Sequence, residues 1–80
     1  MKQLTVHWFA AYREATGVAS EPVQTDAHTA AELFDEMLSK HPALSAYHRA
    51  LVAINDEMAD WTSPLHDGDR VLFFPPVAGG

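Results

Sequence analysis

The chain predicts an α+β domain, a mixed sheet with one main helix packed across one face, and three observations carry that expectation. Apolar residues alternate at period two near the start and again near the end, a helix with its own start signal lies between them, and the length admits one core only. Chains of this size bury about 60 to 65% of their unfolded surface in a single modest core.

Leu4, Val6 and Trp8 recur at period two with Thr5, His7 and Phe9 between them, the pattern of a strand that packs one face inward. A short segment from Ala10 to Thr16 follows, broken by Gly17. Ser20 to Thr25 is a weaker second strand, and its Pro22 suits a sheet edge. Thr29-Ala30-Ala31-Glu32 fits the capping box, in which hydroxyl and carboxylate each satisfy an otherwise unpaired backbone N–H. The helix that starts there places Leu33, Phe34, Met37 and Leu38 on one stripe, and Pro42 marks its end.

Ala43 to Ala50 adds at most a helical turn. Leu51-Val52-Ala53-Ile54 reads as a short buried strand, Asn55-Asp56-Glu57 as its turn and Met58 to Trp61 as a brief return. Leu65-His66-Asp67-Gly68-Asp69 is a tight turn with Gly68 at positive φ, and Arg70 to Phe74 is the final strand. The first and last strands are the most apolar, which places them side by side at the centre. Strand, strand, helix, strand, short strand, strand in this order is the β-grasp arrangement, as in ubiquitin. The expected organisation is a β-grasp domain over 1–74 and an extended tail over 75–80.

Pro75-Pro76 offers no backbone donors, so the ladder stops there and the tail leaves extended. It ends on Gly79-Gly80. Glycine is about 7% of an average protein, so chance places a terminal pair in roughly 0.5% of chains, a poor explanation for this one. Without Cβ atoms the end can enter a narrow tunnel, and a nucleophile can reach its carbonyl unhindered. An α-carboxyl with a pKa of about 3.3 to 3.7 is an anion at neutral pH, hence a very poor electrophile. It needs activation as a mixed anhydride with a nucleotide phosphate, and this chain has no phosphate loop of its own. The competing reading is a frayed end without function.

Composition narrows the classes. Hydrophobic residues make up 48% and no stretch is of low complexity, the profile of a chain that folds unaided. Lys2, Arg13, Lys40, Arg49 and Arg70 face eleven acidic residues, a net charge of −6. Nucleic acid is therefore not an expected partner, and the acidic surface suits a basic protein. With no cysteine, any sulfur chemistry must use sulfur from outside. The N-terminus alternates rather than presenting the apolar core of a secretion signal, and no apolar run is long enough to span a membrane. The expected location is cytoplasmic.

Phe9-Ala10, Arg13-Glu14, Thr16-Gly17, Val52-Ala53-Ile54-Asn55, the Leu65, Asp67-Gly68-Asp69, Val71 series and Phe73-Phe74-Pro75-Pro76-Val77-x-Gly79-Gly80 together span nearly the whole chain. This set closely resembles the small subunit family of molybdopterin synthase, sulfur carriers of the MoaD/ThiS type. The resemblance implies that Gly80 is adenylated by an activating enzyme related to ubiquitin E1, which uses ATP. Gly80 then becomes a thiocarboxylate and enters the large subunit, where it gives its sulfur to a pterin precursor. Gly79 would be the unhindered neighbour, Ala78 would belong to the docking segment, and no cofactor would be bound by this chain. Thiamine-pathway carriers share the glycine pair but typically lack the Phe-Phe-Pro-Pro run and the Arg-Glu-x-x-Gly segment. The chain departs from the pattern after Gly17 and over 43–50. A carrier for a thiamine or tungsten pathway, a ubiquitin-like conjugated modifier and a non-reactive interaction module all remain open.

Alternation puts Val71 and Phe73 on one side of the last strand and Leu72 and Phe74 on the other. The same logic turns Phe9 outward on the first strand, giving a partner-binding patch of Phe9, Leu72 and Phe74 beside Pro75, Pro76 and Val77. Arg13 is a candidate anchor for an acidic group, although a solvated surface arginine is the simpler reading. His7, His28, His41, His48 and His66 form no metal-binding spacing, and Asp67-Gly68-Asp69 lacks the rest of a calcium loop. Ser20, Ser39, Ser45 and Ser63 sit in no nucleophile-elbow context. Trp8, Trp61, Met37 and Met58 are assigned to the core.

Overall fold

The computed structural model describes residues 1–47, 49 and 51–76. Strand β1 (Lys2–Trp8) leads into a short helix α1 (Ala10–Thr16), strand β2 (Ser20–Thr25) and the main helix α2 (Ala30–Lys40). A 3-10 turn (Pro42–Ala46) precedes β3 (Leu51–Ile54), β4 (Glu57–Ala59) and β5 (Arg70–Phe74). The strands form one sheet in the order β2-β1-β5-β3-β4, with β1 and β5 parallel and every other pair antiparallel. This is the expected β-grasp, with β5 at the centre and β1 beside it.

Sequence accounts for most of these boundaries. Thr29 Oγ1 accepts from the Glu32 backbone N–H at 3.2 Å while the Glu32 carboxylate accepts from the Thr29 N–H at 3.1 Å, so the capping box closes in both directions. Leu33, Phe34 and Met37 are buried from α2, and Leu38 packs at the core margin. They meet Leu4, Val6, Trp8, Val23, Val52, Val71 and Phe73 from the sheet. Pro22 sits on the edge strand β2, where its missing donor breaks no ladder.

The segment from Ala10 to Thr16, left without a conformation by its composition, is helical. Gly17 ends it at φ 79, and its N–H donates to the Arg13 carbonyl, the left-handed stop that glycine provides most readily. Tyr12 is its buried side chain. Asn55 and Asp56 both take positive φ, at 53 and 69, which makes a tight two-residue hairpin turn. Glu57 therefore belongs to β4 rather than to the turn. The brief return strand ends at Ala59 instead of Trp61. Gly68 has φ 87, as its turn demands.

Four side-chain expectations are corrected. Phe9 does not lie on the first strand, which ends at Trp8; it is the residue preceding the first turn of α1. Met58 is 63% exposed, because β4 is an edge strand and Met58 sits opposite Ala53 on the sheet face away from α2. Leu51, read as buried, is 52% exposed because it lies opposite the outward-turned Phe74 on that same face. Trp61 is only partly buried and closes the edge of the core, stacking on Phe73 with ring centroids 5.7 Å apart and carrying the Arg49 guanidinium 4.9 Å from its ring centroid.

Candidate functional site

Parallel pairing of β1 with β5 brings Trp8 beside Phe73 in register. Both rings point inward and pack 5.3 Å apart. Their chain neighbours Phe9 and Phe74 consequently meet on the other side, stacked with centroids 4.6 Å apart and planes 13° from parallel. Ala10 takes φ 50 directly after Phe9, turning the chain from β1 into α1 within one residue. Phe9, Ala10, Ala11, Leu51, Phe74, Pro75 and Pro76 line an apolar groove of about 400 Å³.

Beyond the groove the same face of the sheet carries a second row. His7, Leu72, Ala53 and Met58 stand opposite one another in successive strand pairs β1, β5, β3 and β4, so they form one row on the face away from α2. Leu72 is half-buried in this row, between the groove and Met58. The outer face thus carries Leu51, Met58, Leu72 and Phe74, with Phe9 beside them, near the end of the sheet where β5 stops, and apolar surface of this kind is a candidate for interaction. Leu51 and Met58 were missed by sequence reasoning. Strand register was the signal needed, because a four-residue apolar run does not declare which side chains face out.

Of the other candidate residues, Pro75 is buried and Pro76 exposed at the end of β5. Arg13 is exposed on α1, does not line the groove and makes no ion pair among the described residues. Val77, Ala78, Gly79 and Gly80 lie outside the described residues. Among the described residues no group of three His, Asp or Glu side chains could hold a metal, and no helix is long and apolar enough to cross a membrane.

Behind the groove lies a charged cluster that the sequence reading did not single out. Glu21 on β2 faces inward and is 9% exposed. Its Oε2 accepts from the Trp8 indole N–H at 2.9 Å and lies 2.8 Å from His41 Nε2, while Oε1 accepts from Lys40 Nζ at 2.6 Å. Burial pushes the carboxyl up, and the hydrogen bonds from Lys40, Trp8 and His41 with the His41 charge outweigh it, holding Glu21 below the ordinary carboxylate value.

The sequence profile of the ThiS family matches residues 6–80. The chain belongs to the ThiS family. A curated relative of this ThiS-family chain, the molybdopterin synthase sulfur carrier subunit of Escherichia coli, is 36% identical over 80 residues that cover 96% of this chain and 99% of the relative. The structure of SAMP1 from Haloferax volcanii superposes with a TM-score of 0.82 at 28% identity, covering 98% of this chain and 99% of that one. A protein–protein complex of subunits 1 and 2 of the molybdopterin-converting factor from Helicobacter pylori contains a chain that matches with a TM-score of 0.67 at 28% identity, covering 98% and 99%.

Proposed function

We propose that this chain is the sulfur carrier subunit of a molybdopterin synthase and that Gly80 carries the sulfur. The observation that bears most weight is full-length similarity to sulfur carrier subunits, with a family match that runs through Gly80. The apolar face at the root of the tail supports docking on a larger subunit, as does the two-subunit assembly of the Helicobacter pylori relative.

The chemistry follows from the poor electrophilicity of a carboxylate. An activating enzyme related to ubiquitin E1 joins the Gly80 carboxylate to the AMP portion of ATP and releases pyrophosphate. A sulfide-equivalent nucleophile displaces AMP, exchanging one carboxylate oxygen for sulfur. On the large subunit the thiocarboxylate sulfur bonds to a carbon of the pterin precursor and displaces an oxygen substituent from it, and water then cleaves the acyl–sulfur bond, leaving the sulfur on the pterin and returning the Gly80 carboxylate. Gly79 and Gly80 suit a narrow passage because neither has a Cβ. Phe9, Leu72, Phe74, Pro75 and Pro76 form the docking face, Val77 and Ala78 the segment that enters the partner, and Arg13 an accessory contact. The body of the protein positions the reacting atom, and the pocket that acts on the pterin belongs to the large subunit. The net charge of −6 steers the carrier toward basic partner surfaces. No cofactor is held by this chain, and its place of action is the cytoplasm.

A chain lengthened by one residue after Gly80 tests the reading. It is expected to bind the large subunit yet fail to support conversion of the pterin precursor. Normal conversion by the lengthened chain would overturn the assignment.

A further inference from the structure

The Glu21 cluster joins three elements at the end of the sheet where the tail departs. Trp8 closes β1, Lys40 closes α2 and His41 follows it, and all three side chains converge on one inward carboxylate of β2. An uncharged side chain would fill this position without the cost of removing a carboxylate from water. What the charge adds is one fixed geometry. The Trp8 ring held by it packs on Phe73 at 5.3 Å, on Tyr12 at 6.0 Å and on His41 at 6.0 Å. Phe9, the residue that follows β1, and Phe74, the last residue of β5, form the outward stack.

We propose that Glu21 is a positioning residue for partner docking: by holding the Trp8 indole and the Lys40–His41 end of α2 on one carboxylate, it fixes the ends of β1 and β5 and with them the Phe9–Phe74 stack. The docking part of this inference rests on the carrier reading above, whereas the positioning part concerns the free chain alone. The ionisable groups that face Glu21 are Lys40, only half shielded from water, and the more enclosed His41. Trp8 supplies the neutral donor from β1.

Glu21→Gln is the informative variant, since it keeps the shape but turns an NH2 donor toward either the Lys40 ammonium or the Trp8 indole N–H, both donors only, and so cannot satisfy all three partners. The free protein is compared with wild type by NMR, reading the ring-current shifts of Phe9 and Phe74 and the amide exchange of Phe9 and Ala10. Affinity for the large subunit is measured by titration at a temperature where both proteins are folded. The expected result is altered Phe9 and Phe74 shifts, faster exchange there, unchanged signals in the β3–β4 hairpin and roughly fivefold weaker binding. Lys40→Met, which removes the ammonium partner of Glu21 from a half-exposed side chain and keeps its stem, should shift the same signals and tests the inference even if Glu21→Gln does not fold. Unchanged Phe9 and Phe74 signals and unchanged affinity in the folded variants overturn the positioning role while leaving the carrier reading intact. Failure of wild type itself to bind any large subunit overturns the carrier reading and the docking role, and the shifts in the free chain then decide the positioning role alone.

Discussion

Phe9 and Phe74 stack across the seam between α1 and β5, with ring centroids 4.6 Å apart, while their neighbours Trp8 and Phe73 pack in the core at 5.3 Å. Two adjacent pairs, where β1 and β5 come to an end, thus face opposite ways. One pair belongs to folding and the other is free to meet a partner. Stacked exposed rings bury each other's faces only in part, and a partner that covers them gains apolar burial without reorganising the fold.

Phe74→Ala is expected to weaken large-subunit binding by about tenfold, while stability falls by no more than about 2 kcal/mol because the ring is only partly buried. Calorimetric titration alongside denaturant unfolding separates the two effects. Unchanged affinity would remove the outer face from the docking account.

Phe73→Ala should behave in the opposite way. The side chain is fully buried and contacts Trp8, Phe34 and Trp61, so its loss is expected to cost about 3 to 5 kcal/mol of stability. Urea unfolding of the variant checks this, and a cost close to that of Phe74→Ala would contradict the inward and outward assignment.

Acid should destabilise wild type through Glu21. In the folded chain its carboxyl lies below the usual value of 4.5, so the unfolded chain takes up a proton there first. The resulting stability is complete above 4.5, declines as pH falls below it, and is gone once pH has passed through the lower folded value. The stability difference between wild type and Glu21→Gln should therefore be constant near neutrality and shrink in that acid window. A difference independent of pH from neutrality through the acid range would contradict a charge-based role.

Elements with local signals were legible in the sequence. Thr29 and Glu32 declare the start of α2 because a capping box needs only neighbouring residues, and Gly68 declares its turn because the conformation at φ 87 disfavours any other residue. Alternation also placed Val71 and Phe73 inward. What was not legible depended on register. Met58 and Leu51 look like core residues until β3 and β4 are seen at the edge side of the sheet. Glu21 looks like an ordinary surface acid until Trp8, Lys40 and His41, distant in sequence, arrive beside it. The inward indole of Trp8 was the available hint, since a buried N–H requires an acceptor.

The most direct test of the central claim is the intact mass of the purified chain after incubation with ATP, a sulfur source and its activating enzyme. The account predicts a gain equal to the exchange of one oxygen for one sulfur, mapped by fragmentation to Gly80. An unchanged mass under conditions that support pterin conversion, or sulfur attached anywhere else on the chain, would contradict it.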